Sequence, residues 1–365
     1  MMKKTLAALI VGAFAASAAN ATVIYDNEGT KVELNGSLRI LLEKSNKSGE
    51  WSLKDANGKT IAEGKRHSHT GLKNHDSRVE IKVRHELGDG FYALGRTEVR
   101  FDGKDESGNQ EADEDGFGSL RAHRAYIGLG KKELGQVTFG RQVTIGDDVG
   151  IANDYAYGIL PDYVPTSGKS VIRYDYYGID GLQLGVSYQF AEKRDIDNEV
   201  TVGKLSNGTQ AGFIYNKDGL ILQGVYDRTN YKTSGSAKRN VDGVMLSAGY
   251  DFQSFLISLD GGYQKDKTDG QEATKSFFIS PGFKVPVIAD VSSVYGNYLY
   301  EQEKEGNDKT KTHGFLLGVD YKLHKQVMTF IEGKYVQSKD YTNGNYVDGS
   351  KIKDKAIGVG LRVYF

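Results

Sequence analysis

The chain has 365 residues, 46 of them Gly, 23 Tyr and none Cys, with 38% hydrophobic residues and a formal net charge of −1. Absence of cysteine excludes a disulfide framework and thiolate metal sites, and a balanced charge offers nothing to a polyanion such as nucleic acid. Little apolar material beside so much Tyr and Gly is a poor recipe for a thick soluble core; it suits a wall one residue deep, wetted on one face.

Residues 1–21 have the build of a cleaved export signal. Lys3 and Lys4 form the basic start, Leu6 to Phe14 the apolar run, and Ala19-Asn20-Ala21 the small-residue cleavage site. Cleavage there leaves a single domain, 22–365, with a net charge of −3, since only the two lysines are lost. No later run reaches the roughly 18 apolar residues of a membrane-crossing helix. An exported chain of this kind is soluble, or it crosses an outer membrane as a closed barrel.

Periodicity decides between these. From Lys31, the residues Lys31, Glu33, Asn35, Ser37 and Arg39 alternate with Val32, Leu34, Leu38 and Ile40, the pattern of a strand with one wet and one dry face. Residues 45–75 read as a polar loop; its histidines, His67, His69 and His75, lack the carboxylate or Cys company of a metal site. Ser77 to Glu86 is the second strand, with Arg78, Glu80, Lys82 and Arg84 on one face. It turns at Gly88-Asp89-Gly90 into Phe91 to Phe101, which carries Arg96, Glu98 and Arg100. Residues 102–119 form an acidic loop, suited equally to solvation and to a contact. Leu120 to Gly130 and Leu134 to Arg141 make the next hairpin. The alternation breaks around His123 and Arg124, leaving open which of them points inward.

The stretch from Thr144 to Lys169 is too apolar and too acidic for a free surface loop. It holds Asp147, Asp148, Asp154 and Asp162, no basic residue before Lys169, and a series of Ile, Val, Leu and Tyr residues. A long structured loop of this composition packs against something, and such loops are usually functional. Residues 143–169 are expected to fold into a barrel and narrow it.

The second half repeats one unit. Val171 to Tyr177 turns into Leu182 to Phe190, Gly208 to Lys217 into Leu220 to Tyr231, and Val241 to Phe252 into Phe255 to Lys265. Ser276 to Val285 turns into Val291 to Glu301 and Gly314 to Leu323 into Gln326 to Gln337, before Asp354 to Phe365 ends the chain. Short turns are expected to alternate without exception with long polar connections such as 192–207, 232–240 and 302–312. Short turns on one side and long loops on the other mark a transmembrane barrel whose wet face lines the lumen. Tyrosines near strand ends (Tyr188, Tyr250, Tyr263, Tyr298, Tyr300, Tyr321) suit an interfacial girdle.

The segments TVIYDNEGTKVELNGSLR, SRVEIKVRHELGDGFYALGRTEVRF, LGQVTFGRQ, YGILPDY, GIDGLQLGVSYQF and GVGLRVYF resemble the general diffusion porins of Gram-negative outer membranes, including the major porins of Haemophilus-type bacteria. The resemblance covers the mature chain. It implies an all-β, 16-stranded antiparallel transmembrane barrel, assembled as a homotrimer, with a third external loop folded into the lumen opposite a basic ladder.

Position by position, Asp162 stands at the family's acidic loop residue after Leu-Pro, Arg78 at a wall arginine and Glu98 at a lumen glutamate. His123 falls at another wall-arginine position, and Ser37 where enteric members have lysine, for which Arg39 substitutes in phase. Asp154 matches no family acid, and Lys169 and Arg173 lie near a family arginine without aligning to it. Lumen residues are thus expected to be Asp162, Asp154, Arg39, Arg78, Lys82, Arg96, Arg100, Glu98, His123, Lys169 and Arg173. Asp147 and Asp148 mark where the chain turns inward. Phe365 resembles the family's terminal signal for the outer-membrane insertion machinery. Loop 102–119 and Arg141 are the candidates for contact with a neighbouring subunit.

The expected function is passive passage of ions and small hydrophilic solutes, with outer-membrane lipid and lipopolysaccharide around the barrel and neither cofactor nor metal. If His123 faces the lumen, it would make conductance pH-sensitive near neutrality. A sugar-specific channel would need a lumen track of aromatics, and an enzyme a Ser/His or Asp/His constellation at a rim. A soluble sandwich would leave the alternation of connections unexplained.

Overall fold

The computed structural model describes residues 21–54, 60–65, 69–101, 120–192, 204–232 and 237–365. The export signal, apart from Ala21, and loop 102–119 therefore lie outside the described residues. Twenty strands form one sheet. The first are β1 (Thr22–Asn27), β2 (Thr30–Lys54), β3 (Thr60–Lys65), β4 (His69–Asn74), β5 (Arg78–Gly88), β6 (Phe91–Phe101), β7 (Leu120–Lys131) and β8 (Gly135–Val143). After the long loop come β9 (Ser167–Ile179), β10 (Leu182–Gln189), β11 (Lys204–Lys217), β12 (Leu220–Lys232), β13 (Lys238–Asp251) and β14 (Leu256–Thr268). The last are β15 (Thr274–Ile288), β16 (Ser292–Glu305), β17 (Asp308–His324), β18 (Val327–Thr342), β19 (Asn345–Tyr346) and β20 (Ile352–Tyr364).

All pairings are antiparallel and join chain neighbours, except that β4 and β5 both lie along β2 and β20 lies between β18 and β2, closing on β2 from Ser37↔Tyr364 to Gly49↔Ile352. β1 folds back along Thr30–Leu34 and continues that edge below the chain terminus. With β4 and β5 counted as one crossing, and β1, β3 and β19 as extensions, the result is a closed barrel of 16 antiparallel strands. Closure leaves no open edge, so every strand can satisfy its backbone groups without water.

Alternation sorts the side chains. On β17, Thr312, Gly314, Leu316, Gly318 and Asp320 are buried inward, while Phe315, Leu317, Val319, Tyr321 and Leu323 are exposed outward. The exterior is apolar on strand after strand, which requires lipid rather than water as its solvent. Aromatic rings bound it at both ends: Tyr188, Phe190, Tyr263 and Phe277 on one side, Tyr250, Phe252 and Tyr321 on the other. Among the described residues no helix is long and apolar enough to cross a membrane.

Two expectations need correction. Residues 45–75 are not one loop, because β2 runs on to Lys54 and pairs with β3 and β4. The connections also do not alternate without exception. β16 and β17 pair as far as Glu305↔Asp308 around Gly306-Asn307, so 302–312 is a tight hairpin. Strands on this side continue past the apolar band, and because charged side chains flank them there, their sequence reads as loop. Elsewhere the short turns use left-handed residues where the chain reverses, such as Asp218 and Gly219 between β11 and β12.

A charged constriction as the candidate functional site

The chain leaves β8 at Val143, makes a 3-10 turn over Ile145–Asp148, and does not return to the wall until Ser167. In between it lies inside the barrel. Ile145, Val149, Tyr157, Ile159, Tyr163 and Val164 form one buried cluster with the wall residues Val225, Met245, Phe278, Tyr295, Leu299, Leu316 and Phe330. Each buried aliphatic contributes about 1.5–3 kcal/mol to this docking. The apolar residues that looked excessive for a loop are its attachment.

Polar groups fix its path. Gly146 N–H donates to Gln210 of β11 and Gly150 N–H to Gln223 of β12. The N–H groups of Ile151 and Ala152 donate to the Asp260 carboxylate at 2.9 Å each. Glu332 on β18 is the main anchor. Its carboxylate accepts from the backbone N–H groups of Tyr155 (2.7 Å), Ala156 (2.8 Å) and Tyr157 (2.6 Å), and from Tyr295 Oη (2.8 Å). A fully buried carboxylate with four donors is well satisfied. Tyr155 Oη donates to Asp320, Tyr163 Oη to Glu301, and the Arg362 guanidinium to the Tyr155 carbonyl. These wall partners leave no local mark in the pattern of residues, because a lone acid on a wet face resembles any solvated residue.

The basic side of the lumen comes from β2, β5, β6 and β7. Register stacks Arg78↔Arg100↔Arg121, then Glu80↔Glu98↔Arg124, then Lys82↔Arg96↔Tyr126. Like charges placed directly opposite repel; here a row of carboxylates lies between the rows of cations. Glu98, 1% exposed, has Arg100 at 2.6 Å, Arg78 and Arg96 at 3.6 Å and Arg124 at 3.7 Å. Arg96 also pairs with Glu80, which takes Lys82 at 3.0 Å. Arg39 faces the same space, opposite Arg362 across the β2–β20 seam. Arg39, Arg78, Arg96 and Arg362 line a cavity of about 820 Å³ that Tyr155 reaches from the loop.

Two bulges aim this ladder. Between β4 and β5, three residues (His75, Asp76, Ser77) oppose two on β2, with Asp76 at φ 63°. Ser77 Oγ accepts from Arg39 N–H at 2.8 Å and so stands in for the missing ladder bond. On β7 the register slips between Glu98↔Arg124 and Val99↔Ala122, which makes His123 the extra residue. That bulge is why the alternation breaks at His123. It brings Arg124 as well as His123 to the Glu98 cluster, so the choice that the broken alternation left open between them is answered by both. Bulges of this kind re-aim side chains beside functional sites.

The loop acids divide. Asp148 pairs with Arg173, and Asp147 lies 3.9 Å from Arg124 with its side chain 39% exposed. These two acids therefore do more than mark a turn. Enclosure within the barrel, helped by neighbouring Asp148 and opposed by Arg124 and Arg173, pushes the Asp147 carboxyl up to about 6. Asp154 is exposed, and enclosure together with Glu332, against Arg362, lifts it to about 6. Asp162 is exposed and raised by enclosure; among the described residues no cation forms an ion pair with it.

Arg173 is not a free lumen charge. It is 3% exposed and bonds Asp175, Asp148 and the Thr144 carbonyl, locking the root of the loop to β9. Lys169 lies four residues earlier on the same strand, its N–H donating to Glu192. Arg141 pairs with outward-facing Ala125, on the exterior of the barrel. Phe365 exchanges backbone bonds with Gly36, 2.8 and 3.0 Å, and its ring fills the space above that glycine.

Comparison with known proteins matches residues 5–341 to the family model of Gram-negative porins. The chain belongs to the Gram-negative porin family. Two relatives are major outer membrane proteins of Pasteurella multocida, 32% identical over 385 aligned residues and 31% over 381, each covering 100% of both chains. Similar solved structures include an anion-selective porin from Comamonas acidovorans (20% identity, TM-score 0.67, 92% of this chain and 100% of that one). OmpT of Vibrio cholerae (17%, 0.68, 94% and 100%) and an OmpF complex from Salmonella typhi (15%, 0.62, 94% and 100%) share the fold as well. This porin resides in the outer membrane, where it forms a general diffusion channel.

Proposed function

We propose that ions and small hydrophilic solutes cross this porin passively, through a gap between loop 144–166 and the ladder of Arg39, Arg78, Lys82, Arg96, Arg100 and Arg124. The observation that carries this reading is the docking of the loop on the wall opposite the ladder, with Asp147 reaching Arg124. Opposed charges across a narrow, low-dielectric passage set up a transverse field that orients water and polar solutes and disfavours apolar ones. Glu80 and Glu98 offset much of the ladder, so selectivity is weak and its sign depends on Asp147, Asp154 and Asp162. The protein conducts and does not catalyse.

It acts as a homotrimer, a reading supported by the family and by a V. cholerae relative solved in trimer form. Outward-facing Arg141 and loop 102–119 are the proposed subunit contacts. Residues 1–21 are the proposed export signal, and Phe365, seated at the seam, the mark read by the insertion machinery. Planar-bilayer recording tests the constriction. Asp162→Asn is expected to move the reversal potential toward anions; a value equal to wild type removes Asp162 from the constriction.

A further inference from the structure

The tip of the constriction loop lies over the line along which the barrel closes. In the middle of the last strand, β20, the lumen phase is held by Ala356, Gly358 and Gly360. Glycines inside a strand offer no side chain to pack and lose more freedom on ordering than other residues. This weak stretch is the one that completes the ring, with β18 on one side and β2 on the other. Register sets three rows across it: Phe330↔Gly360↔Leu41, Glu332↔Gly358↔Glu43 and Lys334↔Ala356↔Ser45. The middle of each row is a trough.

At Gly360 the trough is filled from the wall, where the Phe330 ring stands in the place of a Cβ. At Gly358 it is filled by the loop. A Cβ there would lie 2.5 Å from Tyr157 Oη and 2.8 Å from Leu41 Cδ1. Tyr157 is buried, faces Glu43 of β2, and has Lys334 Nζ of β18 at 5.8 Å from its ring centroid. One side chain of the loop therefore meets all three strands of the seam. Tyr155 holds two of the same strands. Its N–H donates to Glu332 of β18, and its carbonyl accepts from Arg362 of β20. The Arg362 guanidinium lies 5.0 Å from the Tyr155 ring and 5.3 Å from the Phe330 ring. The loop's earlier anchors, Gln210, Gln223 and Asp260, belong to strands that follow one another as hairpins. The site of the tip is assembled from the two ends of the chain.

We propose that Tyr155–Tyr157 is a clasp on the barrel seam: its site is complete only once β20 has paired with β2, and its docking holds that pairing shut. Joining β20 to β2 closes a loop of nearly the whole chain, the step with the largest closure entropy, and the clasp adds buried contacts at that step. The barrel stays folded without it. What the clasp suppresses is local opening of the seam. The inference concerns the wall and does not depend on what crosses the pore.

The test is hydrogen exchange of the full-length mature porin folded in detergent, read by mass spectrometry. In Y157A, amides 356–362 of β20 and 39–45 of β2 should exchange about tenfold faster or more, the scale set by deleting a buried aromatic ring. Amides of β11–β13 should keep the wild-type rate. Y157F retains the ring and should stay close to wild type at the seam. A covalent lock separates an effect on the seam from one on the loop alone. Leu42 and Val359 face each other across the seam, and the chain has no cysteine, so L42C/V359C can be oxidised there. Adding Y157A should lower the temperature of gel-mobility conversion in the reduced pair and leave it unchanged in the oxidised pair. If Y157A does not fold, G358A takes its place. Alanine favours a strand over glycine, yet its Cβ displaces Tyr157, so seam exchange should rise severalfold and fall back in G358A/Y157F. Seam exchange at the wild-type rate in Y157A or G358A, or acceleration spread evenly around the barrel, overturns the proposal. So does the same loss of conversion temperature with the seam locked, or no recovery in G358A/Y157F.

Discussion

Replacing Glu332 with glutamine isolates the anchor of the constriction loop. In the wild type, Oε1 accepts from the N–H groups of Ala156 and Tyr157, and Oε2 from Tyr155 N–H and Tyr295 Oη. A glutamine offers one carbonyl. Placed toward Ala156 and Tyr157, it turns its amide toward Tyr155, donor against donor, while the tyrosine hydroxyl can rotate to accept. One backbone N–H is orphaned in a fully buried site, and two bonds lose their charge assistance. Together these cost about 2–4 kcal/mol of local docking free energy. Because about 1.4 kcal/mol is a factor of ten, opening of residues 155–157 should become roughly a hundredfold more frequent. The barrel itself should persist, since its ladder is untouched. Hydrogen exchange of the three amides reports the opening, and single-channel recording should show noisier current with more frequent excursions above the wild-type level. Unchanged protection of those amides together with unchanged current noise would refute the argument that Glu332 holds the loop.

Gly243→Ala tests the same docking without touching charge. A Cβ there would stand 2.1 Å from the Tyr163 carbonyl oxygen, so the loop must lift, and current noise should rise as in Glu332→Gln with ion selectivity little changed. Glu98→Gln should do the reverse. It strips the central carboxylate from Arg78, Arg96, Arg100 and Arg124, and the reversal potential should move toward anions; breaking a buried cluster of this kind costs about 3–5 kcal/mol, visible as a lower temperature of gel-mobility conversion. For pH, Asp147 and Asp154 both sit raised to about 6, so they are charged above that value and neutral below it. Selectivity should drift toward anions as pH falls from 7 to 5. Asp147→Asn with Asp154→Asn should flatten that titration, and persistence of the full drift in the double variant would assign it elsewhere.

Much of the wall was legible without coordinates. Lys31 to Arg39, Arg78 to Arg84 and Ile357 to Phe365 alternate cleanly, and alternation follows from the pleat, which is local. The unusual composition of 144–169 was also legible, and its inward fold follows from it. The wall partners of the loop were not. Glu332 is 177 residues from the amide of Tyr155 it anchors, and Asp260 is 109 from Ile151. Nothing in the local pattern separates such an acid from a solvated one.

The sequence by itself determined the strands, their wet and dry faces, and one loop too apolar to remain outside. Those properties depend on neighbours two residues apart or on composition. Only the tertiary structure decided which charges meet. It enclosed Arg173 at the loop root, brought Arg124 to Glu98 through a bulge at His123, and gave Asp147 rather than Asp162 a cationic partner. Barrel closure and a one-residue slip in register set those distances, and neither is written in the phase of any single strand.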